Sequence, residues 1–433
     1  MPSPTSSLAL PRRTSPLRVH FVLTSLPVGG AETLLLNLIR KLDRRAFSPE
    51  VVCLKQAGAL GEEIGQQVPL HSRLLSGKWD LRVLWRLRKL FRGSDAVITV
   101  GAGDKMFWGR LAAKLADVPV ICSALHSTGW PDGVGRLNRL LTPITDGFIA
   151  CAKPHAQHLA RVEGFPPSRV FTIPNGVDTD RFRPNHPQRG RIRAALDLPS
   201  DCPLVGIVAA LRPEKNHAQF VEAAREVLRH HPQTHFLIVG EGPERGAIHD
   251  LLSEYGLTSR VHLLGSRYDT ENLLAAMDVF CLTSRNEANP VSILEALSSG
   301  VPVVAPDVGS IRETVIPKRT GVLTSPLCAA STADGIVQLL SNRSRASNLG
   351  LEGRQLVRHA SSLLTMVEGY ENLLENLYNA KAKERGRPLW THVRPCVDSG
   401  PLADDRPGSQ VAPLPLDVVL PPSLSALQSL PGE

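Results

Sequence analysis

Short apolar runs rich in β-branched residues alternate with helical stretches along most of the chain. Near-continuous apolar strands separated by helices are typical of parallel sheets that helices cover on both faces. The pattern therefore predicts an α/β fold. The predicted strands are 18–24, 51–54, 96–100, 118–122 and 147–151 in the first half, and 204–210, 234–240, 260–264, 278–283 and 301–305 in the second. The clearest predicted helices are 31–42, 330–342, 344–360 and 362–384.

The two series of strands indicate two doubly wound domains, each built like a Rossmann fold. We expect the first over 17–175 and the second over 204–361, joined by a Pro-, Arg- and Asp-rich linker at 176–203. The helix at 362–384 could pack back on the first domain. Residues 1–16 and the tail 386–433, which holds nine prolines, are predicted to be disordered. A ligand should bind in the cleft between the domains, at the carboxyl ends of the strands.

Composition limits the class of protein. The 433 residues are 42% hydrophobic and 21% charged, as in soluble globular proteins, and contain no apolar run of membrane-spanning length. The N-terminus lacks the apolar core of a secretory signal. The seven cysteines form no CxxC motif, which argues against a zinc site and suits a reducing, cytoplasmic location. The net charge of +8 favours an anionic partner. No nucleic-acid recognition motif is present, so we expect no nucleic-acid partner.

Two glutamates eight positions apart form the most informative motif. Glu287 precedes a helix predicted to start at Asn289-Pro290, with the proline at the first helical position, and Glu295 lies inside that helix. The free N–H groups at the helix start fall between the carboxylates and could hold a phosphate. Carboxylates on either side could accept hydrogen bonds from sugar hydroxyls, which describes a nucleotide-sugar site. The alternative is a solvated helix face.

Three further segments could contribute to such a site. Gly29-Gly30 follows the first strand and opens a helix, so backbone could approach a ligand closely, although a ligand-free tight turn has the same pattern. Arg212 and Lys215 follow the first strand of the second half and could neutralise a diphosphate without metal, or form a solvated basic loop. His126 ends a strand and could donate a hydrogen bond into the cleft, although a lone histidine is more often structural.

Taken together, the motifs resemble the family-4 retaining glycosyltransferases of GT-B fold. The resemblance runs in order and spacing from about residue 17 to 370. It implies two Rossmann-like domains facing each other across a cleft. It rests on GGAE (29–32), IPNGVD (173–178), RPEK (212–215), VGEGPE (239–244), the Glu287/Glu295 pair and SSGVPVVAPDVGSIRE (298–313).

The resemblance also implies roles for individual residues. Glu287 would contact the hydroxyls of the donor sugar, Glu295 the ribose, and Arg212 and Lys215 the diphosphate. The backbone at Val291 and Ser292 would complete the grip on the phosphate, and the Gly29-Gly30 loop would close over donor and acceptor. His126 would contact the transferred sugar. No cofactor or metal is implied, and the donor would be a UDP-sugar or GDP-sugar.

The segment Ala288-Asn289 departs from the family pattern. Glycine commonly follows the first glutamate of the pair in that family, whereas alanine and asparagine stand here. We therefore expect the Asn289 side chain to enter the sugar pocket and to take part in donor binding, which leaves the identity of the sugar open.

Several alternatives remain for the partners and the reaction. The segment 78–92 predicts an amphipathic helix whose face formed by Val83, Leu84, Leu87, Leu90 and Phe91 packs on the first domain. Its basic face, with Trp79 and Trp85 near the borders, could also dock on the anionic inner face of a membrane, where a lipid-linked acceptor would reside. A glycan is the other acceptor class. The competing functions are a nucleotide-sugar 2-epimerase of the same architecture and a non-catalytic nucleotide-sugar-binding scaffold.

Overall fold

The computed structural model describes residues 12–27, 29–77, 80–101, 104–126 and 139–392. The first domain begins with the two-residue strand β1 (Arg12–Arg13) and continues with a seven-stranded parallel sheet of order β4-β3-β2-β5-β6-β7-β8. Its strands are β2 (Leu17–Leu23), β3 (Phe47–Cys53), β4 (Leu70–His71), β5 (Ala96–Val100), β6 (Val120–Leu125), β7 (Gly147–Ala150) and β8 (Val170–Thr172). Its helices are α1 (Gly30–Lys41), α2 (Ala59–Ile64), α3 (Arg82–Leu90), α4 (Asp104–Leu115) and α5 (Lys153–Arg161).

The second domain is a six-stranded parallel sheet of order β11-β10-β9-β12-β13-β14. Its strands are β9 (Leu204–Val208), β10 (His235–Val239), β11 (Val261–Gly265), β12 (Val279–Cys281), β13 (Val303–Pro306) and β14 (Gly321–Thr324). Its helices are α6 (His186–Ala195), α7 (His217–His230), α8 (Arg245–Glu254), α9 (Thr270–Ala276), α10 (Val291–Ser298), α11 (Ala329–Ser341) and α12 (Arg343–Ala360). Helix α13 (Leu363–Glu384) then returns to the first domain, where Met366 and Tyr370 join its core. The α/β prediction with two Rossmann-like sheets is confirmed.

The segment predicted as a linker is instead part of the second domain. Asn185 caps α6 by accepting a hydrogen bond from the N–H of Gln188. Arg189 and Arg193 of this helix both bind the carboxylate of Asp278, at 2.6 and 2.8 Å. Ion pairs, rather than a wide apolar face, attach much of this helix to the rest of the domain. Its polar sequence therefore did not indicate a helix.

The ends of the folded region are also more ordered than predicted. Strand β1 pairs in parallel with β15 (Leu389–Trp390), so 12–16 and 386–392 belong to the fold. Trp390 is fully buried and packs against Phe47 with the two rings tilted and their centroids 5.4 Å apart. Residues 386–392 were predicted to be disordered because their composition resembles that of the tail. The single buried tryptophan is what anchors them to the fold.

The chain crosses between the domains twice, and the crossings lie side by side. Val177 and Ser362 form a parallel bridge. The N–H of Val177 donates to the carbonyl of Ser361 at 2.9 Å, and the N–H of Leu363 donates to the carbonyl of Val177 at 2.8 Å. The turn after the first crossing is structural, because Asp178 accepts hydrogen bonds from two backbone N–H groups that follow it.

Helix α3 packs through the predicted face. Val83, Leu87 and Phe91 are fully buried, and Leu84 and Leu90 pack against the same cluster. Trp85 lies on the outer side and is 66% exposed. Lys78 and Trp79, which we predicted to continue this helix, lie outside the described residues. Among the helices that the structure describes, none has both the length and the apolar character required to span a bilayer.

Candidate functional site

The carboxyl ends of β9 and β12 place the predicted charged residues together. These strands are neighbours in the sheet although they are far apart in sequence, which makes this edge the point where the strand order reverses. Ligands of doubly wound sheets bind in the crevice at such a point. Lys215 follows β9 and Glu287 follows β12, and Lys215 Nζ lies 2.5 Å from Glu287 Oε1. The side chains are only 24% and 9% exposed, so the ion pair is largely sheltered from water.

Backbone contacts hold these two loops in register. Pro213–Lys215 form a turn of 3-10 helix, and the carbonyl of Lys215 accepts a hydrogen bond from the Thr283 hydroxyl at 3.1 Å. The carbonyl of Glu214 accepts one from the N–H of Arg285 at 2.9 Å. Lys215 and Glu287 therefore meet because their loops are tied together on both sides of the pair.

A glycine supports Glu287 from behind. Gly309 has φ +56°, and a Cβ at this position would lie 1.8 Å from the carbonyl oxygen of Glu287. The neighbouring N–H of Ser310 donates to that oxygen at 3.0 Å. Only glycine fits such a close approach in the left-handed region. The motif 298–313 contained this glycine, but its contact with Glu287 could not be predicted from sequence.

Arg212 differs from Lys215 in its surroundings. It precedes the 3-10 turn in an extended conformation, and its side chain is 64% exposed. The closest carboxylate is that of Glu214, at 3.9 Å, which is a weak contact. The two predicted cations thus share one loop, with Lys215 held by Glu287 and Arg212 able to move toward a ligand.

Helix α10 begins one residue later than predicted. Pro290 is the N-cap, with ψ 117°, and Val291 is the first helical residue, because the extended conformation of the proline ends the loop. Val291 and Ser292 therefore carry N–H groups of the first turn, which have no acceptor within the helix. The Val291 side chain packs against the core of the first domain, so this helix start lies at the domain interface.

Glu295 lies one turn into α10 and is partly buried. Burial raises the pKa of its carboxyl to about 7; the charge of Glu271 adds to this effect and that of Arg181 opposes it. Arg181 is itself engaged, because its guanidinium binds Glu271 at 2.8 Å. The carboxyl is thus poised to accept hydrogen bonds from hydroxyl groups, which would stabilise its charged form.

The prediction that the Asn289 side chain enters the sugar pocket is corrected by its contacts. Its amide Nδ2 donates to the carbonyl of Cys151 in the first domain at 2.7 Å, so this group does not point into a sugar pocket. The carbonyl of Asn289 accepts a hydrogen bond from the buried side chain of Asn175 at 2.8 Å. The residue therefore joins the two domains. Its Oδ1 is buried and has no hydrogen-bond partner among the described residues, and donor binding by this oxygen stays a prediction.

The glycine loop opens α1 where few of the described residues approach the backbone. Gly29 is the extended N-cap and Gly30 the first helical residue, and no side chain caps the helix. Among the described residues, a Cβ at Gly30 would meet no atom within 4 Å, and one at Gly29 would meet only the end of the Glu32 side chain. Backbone there is accessible to a ligand. Closure of this loop over donor and acceptor stays a prediction.

His126 follows the end of β6, as predicted. Its ring lines a small apolar cavity of about 10 Å³ together with Leu34 and Leu35 of α1 and Tyr370 of α13. One side of this partly exposed residue therefore belongs to the core of the first domain. Contact with a transferred sugar stays a prediction.

Sequence reasoning missed the residues that join the domains beside the site. The N–H of Lys153, at the start of α5, donates to Glu313 Oε2 at 3.2 Å. Burial raises the pKa of the Glu313 carboxyl. Glu313 ends the motif 298–313, which was the available signal, but its partner lies 160 positions away in the chain.

Among the described residues, the one group with metal-binding spacing lies in the first domain's sheet, not at Glu287. It consists of His20, Glu50 and His71. Arg18 Nε also binds Glu50, at 2.5 Å, and burial lowers the pKa of His20 to about 4. All six cysteines in the described ranges are unpaired thiols.

Comparison with known proteins agrees with this architecture. Residues 28–181 match Glycosyltransferase Family 4, and residues 188–356 match Glycosyl transferases group 1. The chain is 32% identical over 337 residues to the GDP-mannose-dependent alpha-(1-6)-phosphatidylinositol monomannoside mannosyltransferase of Mycolicibacterium smegmatis, covering 73% of this chain and 86% of that protein. It is 28% identical over 298 residues to the UDP-Gal:alpha-D-GlcNAc-diphosphoundecaprenol alpha-1,3-galactosyltransferase of Escherichia coli, covering 65% and 77%.

The fold is also that of a solved structure, Anabaena HepE in complex with UDP-glucose. The TM-score is 0.74 at 21% identity, with 82% of this chain and 99% of HepE covered. The chain belongs to the family-4 glycosyltransferases and has their two-domain GT-B fold.

Proposed function

We propose that this glycosyltransferase moves a hexose from a UDP-sugar or GDP-sugar to a lipid-linked or glycan acceptor, with retention of configuration and without metal or cofactor. The observation that carries the proposal is the sheltered Lys215–Glu287 pair beside the start of α10, at the switch point of the second sheet. The named relatives use UDP-galactose and GDP-mannose on lipid-linked acceptors, which supports these donor and acceptor classes.

The chemistry would depend on charge stabilisation. As the sugar leaves, negative charge grows on the nucleoside diphosphate, and Lys215, Arg212 and the N–H groups at Val291 and Ser292 would stabilise it. Glu287 would orient the sugar by accepting hydrogen bonds from its hydroxyls. Attack by the acceptor on the same face as the departing phosphate would give retention, and that phosphate would take the acceptor's proton.

A transfer assay tests the proposal. We would first find the donor by thermal shift with a panel of nucleotide sugars in EDTA, since a tight ligand raises the melting temperature. Glu287→Gln and Lys215→Ala should each lower transfer by about 100-fold or more, the usual effect of losing a preorganised group. Glu254→Gln, at an exposed helix end, is the matched control. Normal transfer in both site variants would refute the roles.

The same assay separates the alternatives. An epimerase would convert the sugar nucleotide without acceptor, and a scaffold would bind it without turnover. The intact Lys215–Glu287 pair and the family membership favour transfer.

The outer side of α3 supports a further part of the proposal, peripheral association with the cytoplasmic face of a membrane. Leu81, Trp85 and Leu115 are exposed, and the Arg88 guanidinium lies 5.6 Å from the Trp85 ring. Apolar and cationic groups side by side suit an anionic bilayer surface. Sedimentation with anionic vesicles should be lost in Trp85→Ser and at high salt, and equal sedimentation with neutral vesicles would contradict this assignment.

A further inference from the structure

A pocket of about 480 Å³ lies in the first domain, beside the glycine loop. It is formed where β2, β3 and β4 end, on the cleft side of the sheet. Pro27 lines it and is only two positions from Gly29, so the pocket adjoins the segment that opens α1. The other lining residues are Ser25, Lys55, Gln56, Gly58, Arg73 and Leu75.

Backbone hydrogen bonds fix the walls of this pocket. The N–H of Lys55 donates to the carbonyl of Thr24 at 2.9 Å, and the N–H of Arg73 donates to the carbonyl of Lys55 at 2.8 Å. Gly58, with φ +76°, packs so closely that a Cβ would lie 2.5 Å from the carbonyl oxygen of Leu26. The three strand ends are therefore held at a set spacing, and the pocket is preformed.

The charged groups of the lining are both cationic. Lys55 and Arg73 are both exposed, and the described residues around the pocket supply the Ser25 hydroxyl and the Gln56 amide but no carboxylate. Arg73 has φ +58°, a conformation that costs free energy for a residue with a side chain. Two cations without a lining acid, together with neutral donors, match a phosphate better than a neutral sugar.

The proposed function decides which substrate carries this phosphate. The diphosphate of the donor belongs to Arg212 and Lys215 in the second domain, across the cleft. An anion that Lys55 and Arg73 hold on the first domain's side would then come with the acceptor. Resting on that proposed function, we infer that Lys55 and Arg73 bind a phosphate group of the acceptor, and that this enzyme selects phosphorylated acceptors.

Counting bound pyrophosphate tests the inference. Equilibrium dialysis with radiolabelled inorganic pyrophosphate should find one site fewer per chain in Lys55→Ala/Arg73→Ala than in the wild type, or at least a tenfold weaker affinity at that site. Lys114→Ala/Lys318→Ala is the control, because it removes the same charge from exposed positions and Lys318 also has a positive φ, +65°. Both double variants change exposed side chains, and their melting temperatures should remain close to that of the wild type.

The outcomes separate this inference from the proposed function. Equal pyrophosphate counts in the two double variants would overturn it. Loss of UDP binding together with the pyrophosphate site would assign the pocket to the donor and would also overturn it. Unchanged UDP binding with one site lost is the expected result. A wild type that binds neither UDP nor GDP would count against the proposed function, while the pyrophosphate count would still decide whether the pocket binds phosphate.

Discussion

Replacing Glu295 by glutamine should stabilise the free protein and weaken its ligand binding. The pKa of this carboxyl is raised by burial from 4.5 to about 7. Between these values the folded protein keeps a proton that the unfolded chain releases, so the stabilisation present below pH 4.5 is lost as the pH rises to about 7. Glutamine does not titrate, and the variant should not lose this stability.

The size of the expected gain in stability follows from the pKa shift of Glu295. Each pKa unit corresponds to about 1.4 kcal/mol, so the shift sets an upper limit of about 3 kcal/mol for the gain at pH 8. Partial exposure of Glu295 reduces the expected gain to about 1–2 kcal/mol, or a few degrees in melting temperature. A carboxylate that accepts hydrogen bonds from ribose contributes about 1.5–3 kcal/mol, so the variant should bind its sugar nucleotide about tenfold or more weakly at pH 8.

Two measurements check this prediction. In melting curves at pH 5 and pH 8, the variant should have a higher melting temperature than the wild type only at pH 8. Calorimetry with the sugar nucleotide should show wild-type affinity falling below pH 7 toward that of the variant, because the protonated carboxyl accepts hydrogen bonds less well. A nucleotide sugar has no phosphate group that titrates in this range. A lower melting temperature for Glu295→Gln at pH 8, or unchanged affinity, would refute the reasoning.

Three other predictions follow from the fold and the domain interface. Gly309→Ala should destabilise the protein by about 2–4 kcal/mol and reduce transfer by displacing Glu287. The control Gly256→Ala has φ +67° and meets no described atom within 4 Å, so it should cost only about 1 kcal/mol. Equal losses of melting temperature and activity in the two variants would contradict this prediction. Asn289→Ala removes an interdomain hydrogen bond and should cost about 1 kcal/mol in denaturant unfolding, with weaker sugar-nucleotide binding; unchanged unfolding would count against the contact. The pKa of Glu50 is lowered to about 2 because hydrogen bonds from Arg18 and His71 and the charge of His20 outweigh burial; its stabilisation should be lost as the pH falls from 4.5 toward 2, and Glu50→Gln should flatten that part of the acid unfolding curve.

Helices with a clear hydrophobic periodicity could be predicted from the sequence. Helix α1, predicted at 31–42, spans Gly30–Lys41, and α13, predicted at 362–384, spans Leu363–Glu384. Strands β4, β8 and β14 were missed because they lie at the edges of their sheets, where partly exposed residues interrupt the apolar run. Pro49 concealed the start of β3.

Within the site, sequence placed residues near one another but did not give their contacts. Glu287 and Lys215 were both assigned to the donor site, yet their ion pair depends on two loops that are tied by Thr283 and Arg285. The Asn289 side chain was expected in the sugar pocket, and it reaches Cys151 instead. Such choices depend on how the domains meet, and local patterns do not record that.

The adjacent crossings at Val177 and Ser362 limit how the enzyme can open. Two chain segments bridged at one place resist sliding or twisting of one domain against the other, and widening of the cleft by rotation about that bridge would disturb them least. The hydrogen bonds from Asn289 to Cys151 and from Lys153 to Glu313 also join the domains. A rotation that separates the domains at these contacts would have to break both hydrogen bonds.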